Sequence, residues 1–170
     1  MRVLGIDPGT AVLGYGVVDG GSGRHPVLVE CGTVTTPSRA PLPVRLRVLY
    51  EGVTELLSRH TPGALAVESA FYGRNVRTAV VLSHARGVIL LAGELARVEL
   101  AEYSPASVKK AIVGRGAALK PQVGYMVAQL LRLSAPPAPE DAADAVAVAL
   151  THLMIASRRA LFAPQVASRL

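Results

Sequence analysis

Four carboxylates stand at places in this chain where an acid is costly unless it has a partner. Asp7 and Glu68 each end a short apolar run, and Asp141 and Asp144 lie three residues apart at the start of a long apolar-rich segment. A strand buried on both faces is nearly all apolar, and an isolated charge is expensive to bury there. Because carboxylates gathered at one place usually hold a metal ion, the four acids predict a carboxylate metal site.

Each acid also has a simpler explanation when it is taken alone. Asp141 and Asp144 have the i, i+3 spacing of one helix face, in a first turn where the helix dipole favours negative charge. Dipole complementation and N-capping would account for that pair in isolation. Asp7 fits an Asp-Pro-Gly turn, and Glu68 fits a surface carboxylate at a strand end. The simpler explanations are weaker when all four are needed in one chain.

The acids stand out because the rest of the chain is basic. Its net charge is +6 with a pI near 10, and of its 18 basic residues only three are Lys. Basic faces attract phosphate backbones, although a solvated basic surface without a partner has the same composition. Two stretches without acids carry basic residues: Arg74, Arg77 and Arg86 in the first, and Lys109, Lys110, Arg115, Lys120 and Arg132 in the second.

Length and composition predict one soluble domain in a reducing cytoplasm. The chain has 170 residues, of which 1–159 are expected to form the domain and 160–170 a tail. Cys31 is the only cysteine, so a disulfide framework and a Cys-based metal site are excluded. The first residues lack a signal-peptide pattern, and the longest uncharged apolar-rich stretch, 145–157, is too short to span a bilayer.

The apolar patterns predict an α/β fold with a mixed five-stranded sheet flanked by helices. Three strands joined by short connections indicate an antiparallel meander, and helices then alternate with two further strands. The strands are expected at 2–7, 12–19, 26–36, 64–68 and 98–103, and the helices from 42 to the Pro62-Gly63 break, at 75–96, 104–113, 120–133 and 140–159.

An ordered set of motifs carries a resemblance to a known family. The motifs are Gly5-Ile6-Asp7-Pro8-Gly9, Glu68-Ser69-Ala70-Phe71, Ala85-Arg86-Gly87, Tyr103-Ser104-Pro105-Ala106-Ser107-Val108-Lys109-Lys110, Val113-Gly114-Arg115-Gly116, Lys120-Pro121-Gln122-Val123 and Asp141-Ala142-Ala143-Asp144. Their order resembles the ribonuclease-H-like nucleases and, within them, the RuvC family of Holliday-junction resolvases. The chain departs from the family pattern at Ser69, where many relatives carry Gln, and at Leu119, where an acid is common; neither departure removes a predicted metal ligand.

The resemblance implies a metal-dependent endonuclease that acts as a homodimer on four-way DNA junctions in recombination and repair. It implies that two Mg²⁺ ions, with Mn²⁺ as a substitute, are held by Asp7, Glu68, Asp141 and Asp144, with Asp7 between the ions. Two ions about 4 Å apart supply an activated water, a stabilised leaving oxygen and a neutralised phosphate. The resemblance also implies a branch-migration helicase partner of the RuvA and RuvB type.

The same resemblance names candidate DNA contacts. Lys109 and Lys120 match lysines that contact phosphate near the cleavage site. Phe71 matches an aromatic residue that stacks on junction bases, a contact worth about 1–3 kcal/mol per base, although it could instead cover the end of the sheet. Weaker candidates for DNA contact are Tyr72, Arg74, Asn75, Lys110 and Arg115.

Three other functions are compatible with parts of the pattern. The sugar-kinase and actin fold also opens with Gly-Ile-Asp-x-Gly-Thr, but it closes two lobes over a nucleotide and this chain has length for one. A ribonuclease acting on RNA–DNA hybrids would use the same carboxylates, and the long helix with Gly87 and Gly93 argues mildly against it. A junction-binding scaffold that does not cut would not need four intact acids. A resolvase is therefore the interpretation that the sequence favours.

Overall fold

The computed structural model describes residues 1–21, 23–69 and 76–162, and the side chains of all of these except residues 77 and 160–162. These ranges contain five strands and five helices. In chain order they are β1 (Arg2–Asp7), β2 (Val12–Gly21), β3 (Arg24–Thr35), α1 (Leu42–His60), β4 (Ala64–Glu68), α2 (Val76–Leu95), β5 (Glu99–Tyr103), α3 (Pro105–Val113), α4 (Lys120–Leu131) and α5 (Glu140–Phe162).

The strands form one mixed sheet in the order β3-β2-β1-β4-β5. The first three strands are antiparallel neighbours, whereas β4 runs parallel to β1 and β5 runs parallel to β4. The mixed five-stranded sheet predicted from the sequence is thus confirmed. Ile6 is in register with Val67, so the two parallel strands end side by side and bring Asp7 next to Glu68.

Alternation along the strands decides which way the two acids face. Leu4 and Ile6 pack into the cluster formed with α1 and α2, whereas Val3 packs into the cluster formed with α5. Successive side chains of a strand point to opposite faces of the sheet, so Asp7 falls on the α5 face. In β4 the same alternation places Ala64 and Ala66 with α5. Glu68 therefore faces α5 as well.

Two glycines allow α5 to lie directly on the sheet. A Cβ atom placed at Gly5 of β1 would overlap the backbone oxygen of Ala145, and one at Gly14 of β2 would overlap the backbone oxygen of Asp141. Any side chain at these positions would push the helix away. The first turns of α5 consequently lie against the ends of β1 and β2, above Asp7.

The element boundaries differ from the sequence expectation in a few places. The β2–β3 hairpin is longer than expected because its arms stay paired up to Gly21 and Arg24, with Gly21 in the left-handed region at φ 92°. Helix α4 ends at Leu131 because Arg132 adopts a left-handed conformation, and α5 continues to Phe162. The predicted cap of α3 is present, since Ser104 Oγ accepts a hydrogen bond from Ser107 N at 3.1 Å.

Candidate active site

The four carboxylates predicted from the sequence meet at one edge of the sheet. Asp7 and Glu68 come from adjacent strand ends, and Asp141 and Asp144 come from the first turns of α5. Burial raises the pKa of Asp7 to about 8, helped by the charges of Glu68 and Asp144, a hydrogen bond with Glu68 and the charge of Asp141. All three other acids thus act on Asp7, which is half-buried at the centre of the group.

The pKa of Glu68 is also raised, by a smaller amount than that of Asp7. Burial raises the pKa of its carboxyl group, and the charge of Asp144 adds to this, while the hydrogen bond with Asp7 and the charges of Lys120 and Lys109 lower it. A proton shared between Asp7 and Glu68 thus relieves the repulsion between their charges. The lysines lie close enough to relieve part of it as well.

The residues fit a hard divalent cation. A buried carboxyl whose pKa is raised by neighbouring acids marks a place with too little positive charge, and the donors are all oxygen atoms, which such cations prefer. Within the described ranges, no three acidic, imidazole or thiol groups are close enough to form a preassembled coordination shell. Some carboxylate movement would therefore accompany cation binding.

Lys120 supplies the counter-charge for Asp144. Its ammonium group lies 2.9 Å from Asp144 Oδ2 and 2.9 Å from Glu140 Oε1. These hydrogen bonds, the one to Glu140 first, raise the pKa of Lys120 above its usual value. Lys120 begins α4 and Asp144 lies in α5, so this contact joins the second acid-free basic stretch to the four carboxylates.

The remaining predicted residues are placed as follows. Lys109 is half-buried on α3, and its charge acts on Glu68, whereas Lys110 and Arg115 are exposed. None of these three forms an ion pair with a described residue. The candidates Phe71, Tyr72, Arg74 and Asn75 lie outside the described residues.

A cleft of about 240 Å³, here named the carboxylate cleft, opens beside Asp7 and Glu68. Its walls include Arg86 of α2, which the sequence did not point to as a site residue. Arg86 Nε donates a hydrogen bond of 2.7 Å to Glu102 Oε2. The sequence signals for Arg86 were its place in the Ala85-Arg86-Gly87 motif and its place in the first acid-free basic stretch. The other lining residues are Pro8, Ser69, Leu82 and Pro105.

A mixed sheet with acids at the ends of two neighbouring parallel strands, completed by acids from a helix lying across them, is the arrangement of the ribonuclease-H-like nucleases. A family described as "Crossover junction endodeoxyribonuclease RuvC" matches residues 3–152. The chain belongs to this RuvC family of metal-dependent nucleases, which confirms the family and the fold predicted from the sequence.

Curated relatives and solved structures agree with this membership. The chain is 52 % identical over 159 residues to the crossover junction endodeoxyribonuclease RuvC of Alkalilimnicola ehrlichii, with 94 % of each protein covered. It is 38 % identical to the Thermus thermophilus RuvC structure, with a TM-score of 0.85 and 93 % and 96 % of the two chains covered. The T. thermophilus protein in complex with a Holliday junction substrate superposes with a TM-score of 0.87.

Proposed function

We propose that this chain is a structure-selective endonuclease that resolves four-way DNA junctions by paired, symmetric nicks in recombination and repair. The observation that carries the proposal is the convergence of Asp7, Glu68, Asp141 and Asp144 at one sheet edge, with Lys120 bound to Asp144. The similarity to T. thermophilus RuvC, which is known in complex with a Holliday junction substrate, supports the choice of substrate.

The carboxylates would hold two Mg²⁺ ions, for which Mn²⁺ would substitute. When bound, such ions supply an activated water, stabilise the leaving oxygen and neutralise the phosphate. Asp7, on whose pKa all three other acids act, would hold the metal together with Glu68, Asp141 and Asp144. Its proton must leave for a cation to enter, so binding of Mg²⁺ should strengthen as the pH rises. Lys120 and Lys109 sit beside Asp144 and Glu68, where they would contact phosphates of the bound strand.

Resolution of a junction needs two cuts, and the uncovered face of α2 provides a surface for a second copy of the chain. Val80, Leu91 and Leu95 are 50 %, 52 % and 63 % exposed along this helix. Val80 and Leu91 border a mostly apolar groove of about 710 Å³, here named the α2 groove, whose other lining residues are Leu46, Val76, Ala79, Ser83, His84, Gly87 and Val88. A Cβ atom at Gly87 would meet nothing within 4 Å, so a partner helix could approach closely there.

Helix α2 is also unusually apolar for a helix that is mostly uncovered within the chain. Its Thr78–Leu95 part is long and apolar enough to cross a membrane by length and composition, and 22 % of that part is buried within the chain. A homodimer in which the apolar faces of two α2 helices pack together accounts for this. Two further parts of the proposal rest on the resemblance and the composition: a helicase partner of the RuvA and RuvB type, and a cytoplasmic location.

The function is tested with three labelled substrates and the purified protein. A synthetic four-way junction, a linear duplex and an RNA–DNA hybrid are each incubated with and without Mg²⁺. Symmetric nicks in the junction alone, lost without metal, are the expected result. Cutting of the hybrid would make the protein a ribonuclease, and binding of the junction without any cutting would make it a scaffold.

Lys120→Ala is expected to reduce junction cleavage and to flatten the salt dependence of junction binding by about one unit of slope, as the loss of one phosphate contact requires. The melting temperature should change little, because an exposed ion pair contributes about 0–1 kcal/mol. Glu140→Gln is the matched control. It removes the other partner of Lys120 and should leave the slope intact. An unchanged slope in Lys120→Ala would remove this lysine from the DNA contacts.

A further inference from the structure

We infer that Arg86 forms a phosphodiester-binding subsite on the α2 wall of the carboxylate cleft, an inference that rests on the proposed function. Arg86 lines the cleft together with Asp7 and Glu68. The sequence motif that contains Arg86 does not explain why a positive side chain lies on this wall, and the four carboxylates do not need one there to bind a metal. The geometry of its contact with Glu102 is what points to a ligand.

The position of Arg86 follows from the register of the sheet. Glu102 in β5 is aligned with Val67 in β4, whose side chain packs on the face covered by α1 and α2. Glu102 therefore points toward α2, where Arg86 meets it. One residue further along each strand, Glu68 and Tyr103 point to the α5 face. The Arg86–Glu102 pair thus lies at the same sheet edge as the carboxylates, but on the other face.

Glu102 holds the guanidinium of Arg86 in place but uses only two of its hydrogen-bond donors. Nε and Nη2 of Arg86 both donate to Glu102 Oε2. A guanidinium has five N–H donors, so both hydrogens on Nη1 and one on Nη2 remain. Among the described residues, Glu102 is the partner found for Arg86. An anchored guanidinium with a free edge is suited to phosphate, which it binds through two parallel hydrogen bonds.

The negative charges beside the cleft would repel a phosphate, so additional positive charge would help to bind it. A phosphate that approaches Asp7 and Glu68 meets acids. Two lysines act on these acids: Lys120, which is already paired with Asp144 and Glu140, and Lys109, whose charge acts on Glu68. Arg86 supplies positive charge from α2, on the other side of the sheet edge. A strand that crosses this edge would therefore be held by a cation on each side of the bond that is cut.

The competing explanation is that the pair only tethers α2 to β5. The two side chains are 31 % and 36 % exposed, and ion pairs as exposed as this contribute little to stability. A matched control exists in Arg59, which pairs with Glu30 at 2.9 Å between α1 and β3 and is similarly exposed. Arg59 lies near His60, at the end of the sheet where β1 begins, away from the cleft.

The experiment compares Arg86→Ala, Arg86→Lys, Glu102→Gln and Arg59→Ala with the wild type. Cleavage of a labelled four-way junction is measured in Mg²⁺, and salt dependence of junction binding is measured in chelator. Arg86→Ala is expected to lose about 10- to 100-fold in cleavage, the loss of a charge-assisted hydrogen bond, and about one unit of salt slope. Arg86→Lys and Glu102→Gln should keep the slope and lose less cleavage, because the positive charge remains while its aim is lost.

Two results would overturn the inference. One is an Arg86→Ala variant with the wild-type slope and cleavage rate. The other is a loss of activity in Arg86→Ala that Arg59→Ala reproduces together with an equal drop in melting temperature, since that would mark a structural tether. Failure of the proposed function is read separately, from whether the wild type cuts the junction at all. The salt slope in chelator tests Arg86 in either case.

Discussion

Asp7→Asn is expected to lower the cleavage of a four-way junction by about a thousandfold or more, the size of effect seen when a central catalytic group is removed. Junction binding should remain within about twofold of the wild type, because Asp7 carries no contact that attracts DNA. The reason is the central place of Asp7 among the carboxylates, since all three other acids act on its pKa and it would hold the metal under the proposed function. The measurement is single-turnover cleavage of a labelled junction, with binding measured separately in chelator.

The same substitution is expected to stabilise the protein without metal. Since the pKa of Asp7 is raised from 3.8 to about 8, the folded chain keeps a proton that the unfolded chain releases. The stability that this proton contributes is complete below the unfolded pKa and is lost as the pH rises through about 8. An asparagine there carries no charge at any pH. In chelator at pH 8, Asp7→Asn should therefore melt above the wild type, with the difference shrinking toward pH 4.

Asp19→Asn is the control for this pair of effects. Asp19 forms a bidentate ion pair with Arg2, and the hydrogen bond from Arg2 lowers the pKa of its carboxyl. Its removal should leave cleavage intact and shift stability in the opposite direction, downward at neutral pH. Mg²⁺ should raise the melting temperature of the wild type and of Asp19→Asn more than that of Asp7→Asn. A Asp7→Asn variant that melts lower at pH 8 and no longer binds DNA would show that the acid is structural.

Leu91→Glu is expected to convert the protein to a monomer at micromolar concentration. The residue is 52 % exposed on α2, so the substitution leaves the interior of the chain unchanged and places a charge in the proposed contact between copies. On a supercoiled plasmid that extrudes a four-way junction, paired nicks give a linear product. The variant should give nicked circles at most, because its two cuts are no longer made within one complex.

Analytical ultracentrifugation measures the assembly, with Val27→Glu as the control. Val27 is 57 % exposed on β3, far from α2 in the fold, and a charge there should leave both the mass and the linear product unchanged. A Leu91→Glu protein with the mass of a dimer would place the interface elsewhere. A wild-type monomer that still yields linear plasmid would remove the need for a dimer.

The fold and the carboxylate group could be predicted because their signals are local. Two short apolar runs ending in Asp7 and Glu68 indicate parallel strand ends, and parallel strands end at the same edge. Ser104 before a proline indicates a helix start in the same local way. Which residues touch across elements was harder to predict. The contact of Lys120 with Asp144 spans 24 residues, and Arg86 finds Glu102 only after α2 has packed on β5.

The close seating of α5 on Gly5 and Gly14 has a mechanical consequence. Backbone meets backbone at these two points, so no side chain separates α5 from β1 at Gly5 or from β2 at Gly14. Elsewhere in a core, adding or removing one methyl group changes the distance between two packed elements by a small amount. At Gly5 and Gly14 the helix and the strands are already in backbone contact, so they cannot move closer together. The distance between the two halves of the site is therefore set by contact between main chains.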